Sequence, residues 1–295
     1  MPSNIKLCKI ILFADDIKLF VEIPSGHDYL KIQSDLCNIV SWCDANLLSL
    51  NYNKCYTISF TKSNIPTHYD YMLRHNTKCV RVNSIKDLGV IFDSTLRFNE
   101  HITYTVGKAN KNWGFITLNT KSFKNVNTVR YLYLCLIKSI LMYGSTIWRP
   151  TLKNGIIRLE KVQHRVLRRL ASLSGNPKSR YDHNYNSAAE SFSLASIHIS
   201  VIASDNIFTY WIMSGQVRCN ELRQLLPLNN PGYTLRNSLQ FYPEIPSSRH
   251  SEGNPIYRLC HCFNEFSLKL DSFPGFNIEE IRMNTLIKKN TLTYN

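Results

Sequence analysis

Acidic residues are almost missing from one stretch of this 295-residue chain. Between positions 101 and 180 there are 15 Lys and Arg residues and one acidic residue, Glu160. The whole chain carries a formal charge of +14, and the residues outside this stretch hold as many acids as bases. A cationic segment on a neutral body indicates a polyanionic partner, with nucleic acid first and an anionic membrane second. The alternative is a solvated helical face in a basic protein.

Paired cysteine motifs are also missing. The nine cysteines are scattered and include no Cys-x-x-Cys pair, which predicts reduced thiols in an intracellular protein, in the nucleus or cytoplasm. Cys260-His261-Cys262 lacks a second ligand pair at zinc spacing, so a structural role is favoured over a zinc site. The region after residue 180 contains neither zinc-knuckle spacing nor a Gly-rich phosphate loop, and its role stays open.

Long apolar runs are absent as well. The apolar run near the amino terminus is short and ends in two aspartates, so no secretory signal is predicted in it. The stretch from Leu194 to Met213 is interrupted by His198, Asp205 and Asn206. It therefore predicts a buried amphipathic helix rather than a membrane span.

Two adjacent carboxylates, Asp15 and Asp16, stand between two runs of β-forming residues. The pattern from Lys9 to Val21 predicts two strands joined by a tight turn that carries both carboxylates. The two negative charges repel each other, and a bound divalent cation can neutralise that repulsion. Paired oxygen ligands suit Mg²⁺, and paired Mg²⁺ ions drive in-line phosphoryl transfer. A plain surface turn is the alternative.

The remainder of the first hundred residues predicts an α+β fold. A helix opens at Ser25 or Gly26 and is followed by a short strand from Thr57 to Phe60. A second β-rich pair is predicted, with strands Cys79–Val82 and Leu88–Phe92 on either side of a turn at residues 85–87.

Three helices are predicted in the cationic stretch, over Asn99–Asn119, Val126–Tyr143 and Asn154–Leu173. The third has an aliphatic seam on one side and a row of cations on the other. The guanidinium groups of this row would donate paired hydrogen bonds to phosphates. This row, called the basic ridge below, comprises Arg158, Lys161, Arg165, Arg168 and Arg169. The aromatic residues of these helices could stack on bases, but core packing is the commoner role; they are Tyr104, Trp113, Tyr131 and Trp148.

Beyond residue 180, two amphipathic stretches are predicted, Ser187–Met213 and Pro255–Asp271. They flank a proline-containing, loop-prone segment at residues 226–254.

The order of short motifs resembles the reverse transcriptases of non-LTR (LINE-type) retrotransposons, and in its middle part the jockey-like elements. The segment Phe13-Ala14-Asp15-Asp16 is similar to the YADD-type motif, with Phe in place of Tyr. The other matching motifs are Leu50-Asn51-x-x-Lys54, Lys86-Asp87-Leu88-Gly89-Val90-x-x-Asp93, Tyr143-Gly144-Ser145-x-x-Trp148, Leu159-Glu160-x-Val162-Gln163-x-Arg165 and Asn254-Pro255-Ile256-x-Arg258-Leu259. The resemblance covers nearly the whole chain.

The resemblance implies a right-hand polymerase fold that uses Mg²⁺ and deoxynucleotides on an RNA template and DNA primer. Asp15 would be the ligand shared by both Mg²⁺ ions, and Asp16 would be a more peripheral ligand or an electrostatic support. Lys54 would lie near the leaving pyrophosphate, although an exposed strand-entry lysine is an equal alternative. Lys86, in the primer-grip-like motif, and the basic ridge, in the thumb, would contact the nucleic acid.

A polymerase palm also needs a third carboxylate on an earlier strand, together with fingers, and Met1 stands only fourteen residues before Asp15. The expectation is therefore a truncated palm over residues 1–95, a helical thumb over 96–180 and a helical tail over 181–295. This carboxyl-terminal piece would not polymerise by itself. The alternatives are a non-catalytic nucleic-acid-binding protein that uses the basic thumb, or a decayed reading frame.

Overall fold

The computed structural model describes residues 5–23, 28–61, 69–74, 77–175, 185–229, 239–244 and 253–267. These residues form a mixed α+β molecule that is mostly helical, with small two-stranded sheets. The chain divides into two compact units, Met1–Leu96 and Arg97–Asn295. The predicted boundary between residues 180 and 181 lies outside the described residues and stays a prediction.

The first unit begins with a hairpin. Strands β1 (Lys9–Phe13) and β2 (Asp16–Phe20) pair antiparallel, with Phe13 opposite Asp16. Two residues, Ala14 and Asp15, form the turn, and Ala14 adopts a left-handed φ of 50°. The strand–turn–strand prediction for this stretch is confirmed, except that Asp16 belongs to β2 rather than to the turn.

Helix α1 (Tyr29–Ala45) follows and packs against β2. Its buried side includes Ile39 and Cys43. The Gln33 side chain exchanges two hydrogen bonds with the backbone of Met72, donating to the carbonyl at 2.9 Å and accepting from the N–H at 2.8 Å. The helix is confirmed, whereas its predicted start at Ser25 or Gly26 lies outside the described residues.

The next pairing was not predicted. Strand β3 (Tyr56–Thr57) pairs in parallel with β4 (Val80–Arg81). The strand predicted from Thr57 to Phe60 is therefore shorter and displaced by one residue. The Arg81 guanidinium extends the contact by donating to the Ser59 hydroxyl at 2.6 Å.

The second hairpin lies at different residues from those predicted. Its strands are β5 (Ser84–Asp87) and β6 (Val90–Asp93), joined by Leu88 and Gly89. Both turn residues have positive φ, 43° and 85°, the pattern of a type I′ turn, whose twist matches that of antiparallel strands. The predicted turn at residues 85–87 was wrong because Leu88-Gly89 supplies this backbone geometry.

The second unit is helical. The three helices predicted in the cationic stretch are confirmed, the first at the predicted residues. The second contains a π-helical segment, Leu134–Lys138, between α3 and α4. The helices are α2 (Asn99–Asn119), α3 (Val126–Tyr133), α4 (Ser139–Met142), α5 (Ser145–Trp148), α6 (Lys153–Leu173), α7 (Tyr185–Ser191), α8 (Ile197–Met213), α9 (Asn220–Gln224) and α10 (Pro255–Ser267).

The predicted stretch from Ser187 to Met213 is two helices rather than one. Ser196 ends the connection between them, since its hydroxyl accepts from the Ile199 N–H and caps α8. The α8 helix is largely buried, as its apolar sequence predicted. None of the helices within the described ranges combines the length and the apolar character that crossing a bilayer demands.

Polar contacts join α6 to α8 inside the second unit. The Glu160 carboxylate accepts from the His198 N–H at 2.8 Å, at the start of α8. Gln163 accepts from the buried Tyr133 hydroxyl and donates to the Ala195 carbonyl at 3.0 Å. The single acid of the cationic stretch is thus used to bind a helix terminus, where negative charge is favoured.

A buried ion cluster joins α5, α8 and α10. The fully buried Asp205 carboxylate accepts from Arg149 at 2.7 Å and from Arg258 at 3.1 Å. Burial raises the pKa of the Asp205 carboxyl above its usual value, and both guanidinium groups oppose that shift. Arg258 also donates to the Thr146 carbonyl, so α10 is held to the core by polar contacts as well as by apolar packing.

Candidate functional site

The predicted catalytic pair lies at the exposed tip of the first hairpin. Asp15 belongs to the turn, Asp16 is the first residue of β2, and both side chains are exposed. Alternate residues of a strand share a face, so Asp16 and Lys18 are on one side of the hairpin. Ile17 and Leu19 are on the other side, which is more buried. The Asp15 carboxylate therefore stands at the exposed tip of the hairpin, and the Asp16 carboxylate lies beside it at the exposed start of β2.

A salt bridge joins this face to the second hairpin. The Lys18 ammonium lies 2.7 Å from the Asp87 carboxylate, at the end of β5. Both side chains are about 30% exposed, so the pair contributes roughly 1 kcal/mol or less to stability. Its consequence is positional: the Lys18 side chain ties β2 of the first hairpin to the end of β5 in the second. Sequence reasoning missed this contact because no short-range pattern marks it.

A second contact missed by sequence reasoning anchors the chain before β1. The buried Asp35 carboxylate of α1 accepts from three successive backbone N–H groups, those of Lys6, Leu7 and Cys8, at 3.3, 2.9 and 2.7 Å. Burial would raise the pKa of Asp35, but these three hydrogen bonds outweigh it and hold the pKa below its usual value. The carboxylate therefore stays charged and fixes the approach to the turn.

Lys54 and Lys86 are exposed side chains on separate elements of the first unit. Lys54 ends a short 3₁₀ turn, Tyr52–Lys54, and Lys86 lies on β5. No ion pair joins Lys54 to Asp15 or Asp16 among the described residues. The predicted place of Lys54 near the leaving pyrophosphate, like the nucleic-acid contact of Lys86, stays a prediction.

The donor set at the hairpin tip suits a hard cation only in part. Two adjacent exposed carboxylates offer the oxygen ligands that Mg²⁺ takes, usually together with waters and substrate phosphates. Over the ranges that the structure describes, no three His, Cys, Asp or Glu side chains come together as a metal-binding group. Asp15 and Asp16 therefore fit a metal whose shell is completed by other oxygens.

The basic ridge lies along the boundary between α6 and α2. Arg158 donates to the Thr103 hydroxyl at 2.8 Å and Arg165 to the Asn110 side-chain oxygen at 2.5 Å. Arg169, half-buried, approaches the Thr120 carbonyl at 3.4 Å. These partners are neutral, so the contacts orient the guanidinium groups without cancelling their charge.

The remaining ridge side chains, Lys161 and Arg168, are exposed, as is Arg165. Burial, together with the charge of Arg168, lowers the pKa of the neighbouring His164. That shift is expected where the local potential is positive. The exposed cations of the ridge are thus available to an anionic partner.

The four aromatic residues singled out in the sequence divide into two groups. Trp113 and Trp148 are buried and belong to the core, and Trp148 also donates its indole N–H to the Tyr143 carbonyl at 2.7 Å. Tyr104 and Tyr131 are exposed, at 40% and 60%. The core interpretation is therefore correct for the tryptophans, and the two tyrosines remain candidates for stacking.

Comparison with known proteins gives a distant, partial similarity to polymerases of transposable elements. The chain is 24% identical over 159 residues to a protein of Drosophila melanogaster described as "Probable RNA-directed DNA polymerase from transposon BS". The match covers 53% of this chain and 18% of the length of that protein. No protein-family model matches the chain, and no solved structure matches it.

Proposed function

We propose that this chain is the part of an RNA-directed DNA polymerase that carries the metal-binding aspartates and a surface for the template–primer duplex. The observation that carries the proposal is the hairpin tip, where Asp15 in the turn and Asp16 at the start of β2 present two adjacent exposed carboxylates. The distant similarity to a transposon polymerase supports it. The first unit would correspond to the palm, and α2 to α6 to the thumb.

Asp15 and Asp16 would hold Mg²⁺ in this proposal, with Asp15 as the ligand shared by two ions. The bound metal would neutralise the charge that builds up on the transferred and leaving phosphate oxygens. The residues of the chain then have three tasks. Asp35 fixes the approach to the turn, Lys18 and Asp87 tie the two hairpins together, and Lys54 supplies a cation for the leaving pyrophosphate.

The basic ridge would hold the sugar–phosphate backbone of the duplex. Arginine forks and lysines contact phosphates irrespective of sequence, which a polymerase requires because it must move along any template. The neutral Asn110 side chain of α2 orients the exposed Arg165 beforehand, so less side-chain entropy is lost when phosphate binds.

Manganese binding at the hairpin tests the proposal. Mn²⁺ takes the same oxygen ligands as Mg²⁺ and broadens the NMR signals of nearby nuclei. With two carboxylates alone, we expect a dissociation constant in the millimolar range, about −4 kcal/mol. Deoxynucleotide and an RNA–DNA hybrid should tighten it, because their phosphates complete the shell.

The matched variants are Asp15→Asn and Asp16→Asn, with Asp44→Asn as a control carboxylate of the same unit. Loss of broadening in the first two but not in the control supports the proposal. Binding that persists in both turn variants would refute the metal site.

A non-catalytic role in binding nucleic acid is the second candidate. It is favoured by the exposure of Lys161, Arg165 and Arg168 on a segment that has one acid. In that case duplex binding should be the same with and without Asp15, Asp16 and divalent metal. The manganese titration therefore separates the two candidates.

A further inference from the structure

The solvent-facing side of α2 carries aromatic, apolar and basic side chains in a single row. Tyr104, Lys108, Lys111, Phe115 and Leu118 follow one another at steps of three or four residues, which places them on one helix face. All five are exposed, and Phe115 and Leu118 remain 66% and 65% accessible. This row is called the α2 stripe below.

The α2 stripe lies between the two helical neighbours that flank α2. On one flank, Thr103 and Asn110 accept hydrogen bonds from α6. On the other, Asn112 donates to the Leu136 carbonyl at 3.1 Å. The core face is a third side of the helix, with Ile102, Ala109, Trp113 and Ile116 buried. The stripe is therefore a solvent-facing side of α2, distinct from the side that packs in the core and from the two flanks that contact neighbouring helices.

The charge around the α2 stripe has one sign. No Asp or Glu occurs between residues 101 and 159, and neither Lys108 nor Lys111 forms an ion pair within the described part of the chain. The turn after α2 continues the pattern with further exposed cations and an exposed aromatic ring; these are Lys121, Phe123 and Lys124. A complementary partner must therefore be anionic and must also offer flat apolar faces.

We propose that the α2 stripe binds single-stranded nucleic acid. Duplexes present phosphates but keep their bases stacked on one another, whereas a single strand offers phosphates and free base faces together. Proteins that hold such strands without sequence preference combine a positively charged surface with aromatic rings on which bases stack. Tyr104 and Phe115 would stack on bases, and Lys108 and Lys111 would contact the phosphates between them.

The length of the stripe sets the size of the bound segment. From Tyr104 to Leu118 the helix rises about 21 Å at 1.5 Å per residue. At about 3.4 Å per nucleotide in a stacked strand, this length covers about six nucleotides. The inference rests on the proposed function only in taking nucleic acid as the polyanion, because it uses residues outside the basic ridge.

The test compares a single strand with a duplex on the whole chain. Fluorescence anisotropy would follow a labelled oligothymidylate of about 12 nucleotides, twice the predicted site, and a labelled RNA–DNA hybrid. Phe115→Ala should weaken binding of the single strand about fivefold or more, the effect expected for losing one base–ring stack. Tyr104→Ala should act in the same direction, and binding of the hybrid should stay within twofold.

The matched control is Tyr242→Ala, since Tyr242 is 63% exposed in the same unit, and this variant should change neither affinity. Circular dichroism would check that each variant is folded. Equal loss for single strand and hybrid, or no loss for either, overturns the inference. So does binding to phosphatidylserine vesicles that requires Phe115 and displaces the oligonucleotide.

The same titrations keep this inference apart from the proposed function. If the hybrid does not bind and the single strand still binds in a Phe115-dependent way, the duplex surface is refuted while the α2 stripe stands. If the hybrid binds through Arg165 and Arg168, and Phe115→Ala has no effect on the single strand, the duplex surface stands and the α2 stripe is refuted as a binding site.

Discussion

A single carboxylate on α1 holds the segment of chain that leads into the Asp15–Asp16 turn. Asp35 is buried and accepts from three consecutive N–H groups, an arrangement that resembles the anion-binding concavities formed by successive backbone amides. The turn itself includes Ala14 at positive φ, which costs about 1 kcal/mol for a residue with a side chain. Such a turn keeps its shape because the residues around it are fixed.

Replacing Asp35 with Asn should loosen residues 6–8. The amide offers one acceptor instead of two and carries no charge, so the local opening free energy should fall by about 1–3 kcal/mol. Hydrogen exchange at the Leu7 and Cys8 amides would accelerate accordingly. Asp44→Asn is the control on the same helix, because Asp44 is exposed and pairs with Arg74 at the surface.

The effect of Asp35 should depend on pH in a defined direction. Because the folded-state pKa is lowered, the carboxylate stabilises the fold at every pH above its unfolded pKa. That stabilisation is lost as the pH falls through the folded value. The difference in exchange between wild type and Asp35→Asn should therefore be largest near neutrality and shrink in acid. A difference that grew in acid would contradict this account.

At the scale of the element, α6 has two distinct sides. Its apolar side is buried in the second unit. On its charged side, Arg158, Arg165 and Arg169 donate hydrogen bonds to residues of α2 and of the turn that follows it. Since two ends of the ridge are half-buried and the middle is exposed, phosphate contacts should come from Lys161, Arg165 and Arg168.

Three phosphate contacts predict a measurable salt dependence. On B-form DNA, the slope of log affinity against log salt should be about −2.7, since each contact contributes roughly −0.9. Arg165→Ala with Arg168→Ala should flatten the slope by about 1.8 and weaken all sequences alike. Arg218→Ala with Arg223→Ala, two exposed arginines of the same unit, should leave the slope unchanged. A ridge variant with the wild-type slope would remove the ridge from the binding site.

Elements with strong local signals could be predicted from the sequence, and those set by distant partners could not. Helix α2 begins and ends at the residues that its periodicity indicates. The pairing of β3 with β4 involves two residues on each side and more than twenty residues between them, so no local pattern marks it. The turn at Leu88 was missed because a leucine at positive φ is unusual.

The candidate site shows the same division. The Asp15–Asp16 turn follows from the β-forming residues around it, and the hairpin is observed where it was predicted. The bonds of Asp35 to backbone N–H groups and of Lys18 to Asp87 depend on tertiary placement. These contacts could not be predicted from the sequence, because Asp and Lys side chains are common at protein surfaces and nothing in the local pattern marks the ones that have distant partners.

At the scale of the whole molecule, the proposed catalytic turn and the proposed nucleic-acid surfaces belong to different compact units. The turn lies in Met1–Leu96, whereas the basic ridge and the α2 stripe lie in Arg97–Asn295. Variants of the turn should therefore weaken metal binding in the absence of nucleic acid, and variants of the basic ridge or the α2 stripe should weaken nucleic-acid binding in the absence of metal.

The purified chain should not extend a DNA primer on an RNA template with Mg²⁺ and deoxynucleotides. Two carboxylates leave the metal poorly oriented, and the described residues bring no third ligand to them. The measurement is primer extension on a sequencing gel, with Asp15→Asn as the background. Extension above that background would mean that further residues of the chain complete the site.

The buried cluster around Asp205 sets a practical limit on how short a functional fragment can be. A fragment that stopped soon after α9 would lack Arg258 and leave the buried Asp205 carboxylate with Arg149 as its remaining partner, a loss that destabilises the fold because buried charge must be compensated. It would also uncover the side of α8 on which α10 packs. A minimal version of the nucleic-acid-binding unit should therefore run from Arg97 through Ser267, although its binding surfaces end a hundred residues earlier.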